Sequence, residues 1–216
     1  MNKPLRLAIE GNIGVGKSTL LRTLPDALTG DWLPLPERAD EDPEFRRLLD
    51  AFYNDPNKRV DLQAWITNSR IEECKTLLDE KHYIFERSFI GDMIFCHANF
   101  IRHEMPGGKL LGFYYDIIQA AKDYPLDALI YLKAGPQTCY ERIEERSRAS
   151  EDGIPMDYVT YLHNCYETHL PEIAKMLDIP VIEIDWEAFQ PTAFVAEKVE
   201  KFLENMVYDS SIRKIA

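Results

Sequence analysis

The chain has 216 residues, of which 45% are hydrophobic and 29% are charged, an ordinary balance for a globular protein large enough to bury a core. A formal net charge of −12 argues against a nucleic-acid polymer as partner, because such binding requires a basic surface. No apolar run approaches the length of a membrane span, and residues 1–10 are too charged for a signal peptide. The four cysteines form no CxxC pair, which indicates reduced thiols. We therefore expect a single domain over 1–216, located in the cytoplasm and without a membrane partner.

Short apolar segments alternate with longer segments of helical spacing along the chain. Strands are predicted at 5–9, 32–35, 83–85, 128–132 and 181–184, the second of which is weakened by its prolines. Helices are predicted at 17–28, 59–80, 88–103, 110–123, 136–148, 156–176 and 192–206. Strands that alternate with helices form a parallel sheet covered on both faces, so the predicted fold class is α/β.

Residues 11–18 match the phosphate-binding pattern G-x-x-x-x-G-K-[ST], with a predicted strand before them and a predicted helix after them. Glycine backbones turn several N–H groups toward one anion, and the start of the helix adds its positive end. Lys17 is expected to reach the outer phosphates, and the Ser18 hydroxyl to bind Mg²⁺. The alternative is a chance match in a glycine-rich turn. The motif predicts binding of a nucleoside triphosphate through Gly11, Asn12, Ile13, Gly14, Val15, Gly16, Lys17 and Ser18, and it does not identify the acceptor.

Charged residues follow two of the predicted strands. Glu86, Arg87 and Ser88 come directly after the third strand, and Glu37 comes just after the second. Ligands of open α/β sheets bind at the carboxyl ends of the strands. There a carboxylate can hold Mg²⁺ or accept a proton from an attacking hydroxyl, and a guanidinium can neutralise phosphate. The alternatives are a surface ion pair at Glu86 and Arg87, and a solvated acidic turn around Glu37.

Arg142, Arg146 and Arg148 lie at the end of a predicted helix in an otherwise acidic protein. The first two are four residues apart and share a helix face. Such arginines can stabilise a transferring phosphoryl group and close the site against water, as a lid over about 142–153. The alternative is a solvated charged helix in which neighbouring glutamates pair with the arginines.

Gln63 and Arg70 lie on one face of the helix predicted at 59–80. The glutamine amide both donates and accepts hydrogen bonds, as recognition of a nucleobase requires. The alternative is a polar pair on the protein surface.

Taken together, these motifs resemble the deoxynucleoside kinase family, which contains deoxycytidine, deoxyguanosine, deoxyadenosine and mitochondrial-type thymidine kinases. The resemblance extends over nearly the whole chain, with the motifs in the family order. It implies a P-loop kinase fold, with a five-stranded parallel sheet flanked by helices and an arginine-rich lid. It also implies ATP and Mg²⁺ as cofactors, a small-molecule deoxynucleoside as acceptor, and a homodimer.

The resemblance assigns a role to each matching position. The donor nucleotide is expected to contact the loop 11–18, Thr19, Arg146, and the stretch from Asp185 to Phe189 over its adenine. The metal is expected at Ser18 and Glu86. The residues expected to act in catalysis are Glu37 as the base, Arg87, Lys17, Arg142, Arg146 and Arg148. The residues expected to contact the deoxynucleoside are Glu37, Tyr53 at the sugar 3′-hydroxyl, Gln63, Arg70 and Asp92 at the base, Arg87, Phe95, Cys96, and Glu151 closing over the sugar.

The pair of Arg70 and Asp92 resembles deoxycytidine and purine deoxynucleoside kinases, whereas thymidine-preferring members usually lack it. When the wrong base is bound, the hydrogen-bonding groups of a buried charged pair lack partners, and this makes the binding free energy of that base less favourable. Two departures from the family pattern leave the choice among deoxyadenosine, deoxyguanosine and deoxycytidine open, with a slight lean to the deoxypurines. Ile66 stands where deoxycytidine kinases carry a small residue, and the aromatic partner of the base comes one position early, at Phe95.

The sequence thus predicts an enzyme of nucleotide salvage that transfers phosphate from ATP to the 5′-hydroxyl of a deoxynucleoside, with thymidine the least favoured. Glu37 accepts the hydroxyl proton, while Lys17 and the lid arginines stabilise the transferring group. One alternative is a nucleoside monophosphate kinase of the thymidylate type, in which the Glu37 carboxylate would be ill placed beside the acceptor's own phosphate. The other is a noncatalytic nucleotide-binding subunit.

Overall fold

The computed structural model describes residues 4–37, 42–55, 59–78, 80–101, 107–147 and 153–213. Its centre is a sheet of five parallel strands in the order β2-β3-β1-β4-β5. The strands are β1 Arg6–Glu10, β2 Trp32–Leu35, β3 His82–Glu86, β4 Ala128–Lys133 and β5 Val181–Asp185. The predicted α/β class and the five-stranded parallel sheet are confirmed.

Helices fill the segments between the strands. They are α1 Lys17–Leu21, α2 Leu24–Ala27, α3 Pro43–Asn54, α4 Arg59–Lys75, α5 Phe89–Cys96, α6 Gly107–Asp123, α7 Pro136–Arg146, α8 Met156–Met176 and α9 Thr192–Arg213, and α5 continues into a π-helical turn at His97–Ile101. Within the described parts of the chain, no helix combines the length and the apolar character that crossing a membrane requires.

Two hydrophobic cores lie on the two faces of the sheet. Leu7 and Ile9 of β1 belong to the first core and Ala8 to the second, because successive side chains of a strand point to opposite faces. The first core is built mainly with α1, α2, α7 and α9, and the second with α5, α6 and α8. The central strands are thereby buried on both faces.

The carboxyl ends of β2, β3 and β1 lie side by side. Leu35 of β2 pairs with Phe85 of β3, and Glu86 of β3 pairs with Ile9 of β1. The residues that follow these three strands therefore meet at one edge of the sheet, where ligands of open α/β sheets bind.

The segment predicted as one helix at 17–28 forms two short helices, α1 and α2. Pro25 explains the break, because it lacks an N–H and its ring would clash with the carbonyl of Leu21 in a continuous helix. The helix predicted at 59–80 ends at Lys75, and the one predicted at 192–206 continues to Arg213.

Helix α3 is not predicted by the hydrophobic pattern. The Asp42 carboxylate caps it by accepting hydrogen bonds from the backbone N–H groups of Glu44 at 2.7 Å and Phe45 at 3.3 Å. Pro43 occupies its first turn, where a missing N–H costs nothing. The pair Asp42-Pro43 is therefore the sequence signal that locates this helix.

Candidate active site

The phosphate-binding loop connects β1 to α1. Gly14 and Gly16 have φ angles of 77° and 104°, which L side chains rarely adopt. A Cβ atom at Gly14 would lie 2.3 Å from the carbonyl oxygen of Cys139, so this position excludes every larger residue. Gly16 is the N-cap of α1, and the unpaired N–H groups at the start of that helix face the loop. The loop therefore has the backbone geometry of an anion site.

The Lys17 ammonium lies inside this loop. Its Nζ donates hydrogen bonds to the carbonyl oxygens of Asn12 at 2.8 Å and Gly11 at 3.2 Å. The pKa of Lys17 is lowered to about 7, chiefly by burial and then by the charge of Arg87, which together outweigh the nearby carboxylates. A phosphate anion bound in the loop would favour the charged form of this lysine.

One cleft joins the loop to the ends of β2 and β3. Glu37 follows β2, while Glu86 and Arg87 lie at the end of β3. The residues that line the cleft are Ile13, Gly14, Gly16, Lys17, Ser18, Glu37, Glu86, Arg87 and Arg146. The geometry thus brings together the predicted phosphate loop, both predicted carboxylates, the arginine of the Glu-Arg-Ser motif and one lid arginine.

Ser18 and Glu86 present oxygen atoms to this cleft. The Ser18 hydroxyl donates a hydrogen bond to Glu86 Oε1 at 2.6 Å. Hydroxyl and carboxylate oxygens, with water and substrate phosphates, are the ligands that Mg²⁺ takes in phosphoryl-transfer sites. These two residues fit the metal that the resemblance implies.

Two arginines flank the Glu37 carboxylate. Arg87 Nε donates a hydrogen bond to Glu37 Oε2 at 3.1 Å, and Arg70 Nη2 lies 4.0 Å from Glu37 Oε1. The Glu37 side chain is 28% exposed, whereas each arginine side chain is 8% exposed. The arginines orient the carboxylate from the buried side, and its exposed part remains accessible to an acceptor hydroxyl.

Arg70 links this cleft to a buried polar cluster. Its Nε and Nη2 atoms donate to the two carboxylate oxygens of Asp92 at 3.3 Å and 3.4 Å, and the Thr67 hydroxyl donates to Asp92 at 3.3 Å. Burial raises the pKa of Asp92, and the charge of Arg70 opposes this effect. Gln63 is also buried and lies about two turns before Arg70 on the same face of α4. The predicted base-reading residues are therefore buried, and two of them are directly bonded.

Phe95 and Cys96, both predicted to contact the acceptor, lie in different environments. The Arg87 guanidinium lies 4.7 Å from the centre of the Phe95 ring, which is partly exposed. Cys96 is fully buried in the second hydrophobic core, and burial raises the pKa of its thiol. Phe95 therefore contacts the guanidinium of Arg87, and Cys96 is a core residue.

The lid arginines also differ from one another. Arg146 lines the cleft, as predicted. Arg142 is not among the residues that line it, and its Nη1 donates a hydrogen bond to the carbonyl oxygen of Val15 at 3.1 Å. The guanidinium of Arg142 lies 4.1 Å from the centre of the Phe189 ring. The Arg142 side chain is therefore turned toward the stretch Asp185 to Phe189, and its role in catalysis stays a prediction.

The remaining predicted positions are only partly described. Asp185 ends β5, and its carboxylate accepts a hydrogen bond from the backbone N–H of Glu187 at 3.1 Å. Thr19 lies in α1. Arg148 and Glu151 lie outside the described residues, and so does the side chain of Tyr53.

A buried cluster beneath Arg87 is not predicted by any of the motifs. Arg87 Nη1 donates a hydrogen bond to the Tyr166 hydroxyl at 2.9 Å, and that hydroxyl donates to Glu10 Oε2 at 3.1 Å. Tyr166 and Glu10 are both fully buried. The sequence signal for Glu10 is its position, since a charged residue that ends a strand covered on both faces requires buried partners.

Comparisons with known proteins agree with this geometry. A family model described as deoxynucleoside kinase matches residues 7–208. Deoxycytidine kinase 1 from Xenopus laevis is 30% identical over 94% of this chain and 92% of its own length. Deoxyadenosine kinase from Dictyostelium discoideum is 28% identical over 95% of this chain and 82% of its own length. Mitochondrial deoxyguanosine kinase from Xenopus laevis is 30% identical over 84% of this chain and 81% of its own length. The chain therefore belongs to the deoxynucleoside kinase family, and it is a phosphotransferase that uses a nucleotide to phosphorylate deoxynucleosides.

Proposed function

We propose that the chain transfers the γ-phosphoryl group of ATP to the 5′-hydroxyl of a deoxynucleoside, with Glu37 as the general base. The observation that carries this proposal is the cleft in which the partly exposed Glu37 carboxylate faces the phosphate loop. The 5′-oxygen forms a bond to the γ-phosphorus, the bond between that phosphorus and the oxygen that ADP retains breaks, and the hydroxyl proton passes to Glu37. The products are a deoxynucleoside 5′-monophosphate and ADP.

Cationic side chains around the cleft stabilise the negative charge of the transferring group. Lys17 and Arg146 contact the phosphates, and Arg87 orients Glu37 and the acceptor hydroxyl. The support for these roles is that all three side chains line the cleft, and that Arg87 already bonds Glu37. Groups that are fixed before the reaction stabilise developing charge without the cost of reorganisation. In this proposal Arg148 completes the lid, while Glu151 and Tyr53 contact the sugar of the deoxynucleoside.

Ser18 and Glu86 hold Mg²⁺ in the proposed mechanism. The ion supplies neutralisation of the phosphate charge when it is bound. The hydrogen bond between the Ser18 hydroxyl and the Glu86 carboxylate supports this role, because it shows that both oxygens reach one point in the cleft.

Arg142 and Phe189 bind the adenine of ATP in this proposal. The guanidinium of Arg142 already stacks on the Phe189 ring, which is 57% exposed. A flat heteroaromatic base can stack on a guanidinium or on an aromatic ring, so these two groups suit the donor base better than its phosphates. Asp185 shapes the turn that carries Phe189, and Thr19 contacts the donor phosphates from α1.

Arg70, Asp92, Gln63 and Phe95 read the acceptor base. We propose that deoxyadenosine, deoxyguanosine and deoxycytidine are preferred over thymidine, because the bonded pair of Arg70 and Asp92 offers a donor and an acceptor side by side. The relatives include a deoxycytidine, a deoxyadenosine and a deoxyguanosine kinase, which supports the same group of bases. Steady-state rates with all four deoxynucleosides distinguish the possibilities, and a strong preference for thymidine would overturn this assignment.

We further propose a homodimer and a cytoplasmic location. The four cysteines are buried free thiols, which supports a reducing compartment. The acidic surface supports small molecules as partners and not a nucleic-acid polymer.

Replacement of Glu37 by glutamine tests the proposed base. We expect E37Q to lower kcat about 10²- to 10⁴-fold, because the amide cannot accept the hydroxyl proton. The measurement is ADP release in a coupled assay with each deoxynucleoside. Glu44→Gln is the matched control, since Glu44 belongs to the same acid-rich stretch but is an exposed partner of Arg47 at the start of α3. Near-normal turnover by a folded E37Q protein would remove Glu37 from the mechanism, and phosphorylation of monophosphates alone would indicate a nucleoside monophosphate kinase.

A further inference from the structure

Hydrogen bonds of its backbone and its side chain hold Arg87 in an unusual backbone conformation. Its φ angle is 65°, in the left-handed region that non-glycine residues rarely occupy. Its backbone N–H donates to the carbonyl of Ile9 at 3.0 Å, and its own carbonyl accepts from Arg70 Nη1 at 3.2 Å. Its Nε atom is bonded to Glu37. The guanidinium that orients the proposed base is therefore fixed from both its backbone and its side-chain end.

The Nη1 atom of the Arg87 guanidinium forms hydrogen bonds with buried groups. Nη1 donates to the carbonyl oxygen of Gly11 at 3.2 Å and to the Tyr166 hydroxyl at 2.9 Å. The Tyr166 hydroxyl has one proton, and it donates this proton to Glu10 Oε2 at 3.1 Å. The direction of each hydrogen bond is thus determined, with the hydroxyl connecting a buried cation to a buried carboxylate.

Glu10 is fully paired, although it is buried. Its Oε1 atom accepts from the Ser88 hydroxyl at 2.7 Å and from the backbone N–H of Gly91 at 3.2 Å. Burial raises the pKa of Glu10, and the charge of Arg87 is the largest opposing effect. A buried carboxylate with this set of partners acts as a counter-charge for Arg87.

We propose that Tyr166 and Glu10 are positioning residues, which hold the Arg87 guanidinium against Glu37 and so set the geometry of proton transfer. The proposal rests on the proposed function, in which Glu37 is the base and Arg87 orients it. Without the Tyr166 hydroxyl, Nη1 keeps one partner among the described residues, the Gly11 carbonyl, and the guanidinium loses one of the two bonds that restrain its rotation about the Glu37 contact. Small displacements of this kind reduce the rate of the chemical step more than they reduce binding.

Replacement of Tyr166 by phenylalanine tests this proposal, since it removes one hydroxyl and keeps the ring. We expect Y166F to lower kcat about 10- to 100-fold, the range expected for a lost hydrogen bond to a charged group. The KM values for ATP and deoxynucleoside should stay within about twofold, because neither substrate contacts Tyr166. The matched control is Tyr131→Phe. Tyr131 stacks on Tyr166 with the ring centres 6.1 Å apart, but its hydroxyl donates to Glu167 at 2.7 Å, outside the cluster. Y131F should keep the wild-type kcat.

A double-mutant cycle distinguishes positioning from a general structural role. In an R87A background the further change Y166F should lower kcat by less than about twofold, because the group it positions is gone. If Y166F lowers kcat by the same factor in the wild-type and R87A backgrounds, the proposal is overturned. A folded Y166F protein with the wild-type kcat would also overturn it. If Y166F does not fold, as judged by urea unfolding, the same cycle with Glu10→Gln decides. Failure of the proposed function is recognised separately, by a wild-type kcat in E37Q.

Discussion

Lys17 carries its charge in a place from which water is largely excluded. Its side chain is 5% exposed, and its pKa is about 7 in place of the ordinary 10.5. Between these two pH values the unfolded chain binds more protons at this residue than the folded chain does. The linkage relation then requires the Lys17 contribution to the free energy of unfolding to rise as pH rises through this window.

Replacement of Lys17 by methionine removes this contribution, since methionine has a similar length and no charge. We expect the nucleotide-free wild-type protein to gain stability relative to K17M between about pH 7 and pH 8.5, by up to about 1.4 kcal/mol per pH unit. Urea unfolding at several pH values in this range measures the difference. The buried cysteines are the same in both proteins, so their titration cancels in the comparison.

The control for this prediction is Lys122→Met, which removes an exposed lysine of α6. The difference between wild type and K122M should not change over the same pH range. If the wild-type and K17M stabilities run parallel with pH, Lys17 has an ordinary pKa in the folded protein, and burial in the loop does not disfavour its charged form.

At the scale of elements, Glu187 joins the stretch Asp185 to Phe189 to the start of α7. Its carboxylate accepts hydrogen bonds from the backbone N–H of Gly135 at 2.6 Å and from the Thr138 hydroxyl. These two bonds lower the pKa of Glu187, the Thr138 bond most. Further along α7, Arg142 Nη2 donates to the carbonyl oxygens of residues 186 and 187 at 3.1 Å and 3.0 Å. The proposed adenine site is thus attached to α7 at two points.

Replacement of Glu187 by alanine should loosen the proposed adenine site without affecting the acceptor side. We expect E187A to raise the KM for ATP about fivefold, the size expected for the net loss of a hydrogen bond worth about 1 kcal/mol, and to leave the KM for the deoxynucleoside unchanged. Steady-state kinetics with each substrate varied in turn measure both constants. Glu197→Ala removes an exposed carboxylate from α9 and serves as the control. Equal increases in the two KM values would show that Glu187 affects the whole site and not the donor base.

The central strands β1, β3 and β4 were predictable because they are buried on both faces and mostly apolar. A short apolar run such as 128–132 has no helical spacing and is typical of a strand in the middle of a sheet. The helices were less predictable, since their ends depend on single residues: Pro25 divides the segment at 17–28, and Asp42-Pro43 starts α3 inside an acid-rich stretch that has the composition of a loop.

The candidate site was predictable where a residue belongs to a motif or follows a strand. Glu86 ends β3, while Arg87 and Glu37 follow β3 and β2, and the carboxyl ends of these strands meet. Their convergence in one cleft therefore follows from the topology. The position of Arg142 was not predictable, because spacing along a helix gives a face but not the neighbour that this face meets. The role of Tyr166 was not predictable for a related reason, because nothing in the sequence distinguishes it from the other aromatic residues of α8.

At the scale of the whole molecule, the net charge of −12 contrasts with the cleft that receives a polyanionic nucleotide. That cleft contains Lys17, Arg87 and Arg146 beside the carboxylates of Glu37 and Glu86. A few cations in a concave, partly buried site can bind an anionic phosphate although the protein is acidic overall, because salt screens exposed charges over about 10 Å. The acidic surface is therefore compatible with a cleft that binds a small anionic nucleotide.

The proposed homodimer requires an apolar surface outside the cleft. Tyr115 on α6 is 62% exposed, and Phe113, Tyr114 and Ile118 of the same helix are partly buried beside it. Large aromatic side chains at the surface are typical of protein–protein interfaces. The exposed Phe194 on α9, by contrast, is covered by the ammonium group of Lys198, which lies 4.9 Å from the centre of its ring. We therefore expect the dimer to form through α6, on the side of the sheet opposite α9.

Light scattering during size-exclusion chromatography tests this expectation. The wild-type protein should have twice the molar mass of one chain, and Tyr115→Glu should shift it toward the mass of one chain, since a carboxylate buried without a partner in an interface is strongly unfavourable. Phe194→Glu places the same charge on α9 and should leave the mass unchanged. A wild-type mass equal to one chain would exclude the homodimer. A dimeric Y115E protein would support the homodimer but show that its interface lies elsewhere than on α6. A monomeric F194E protein would show that the interface includes α9.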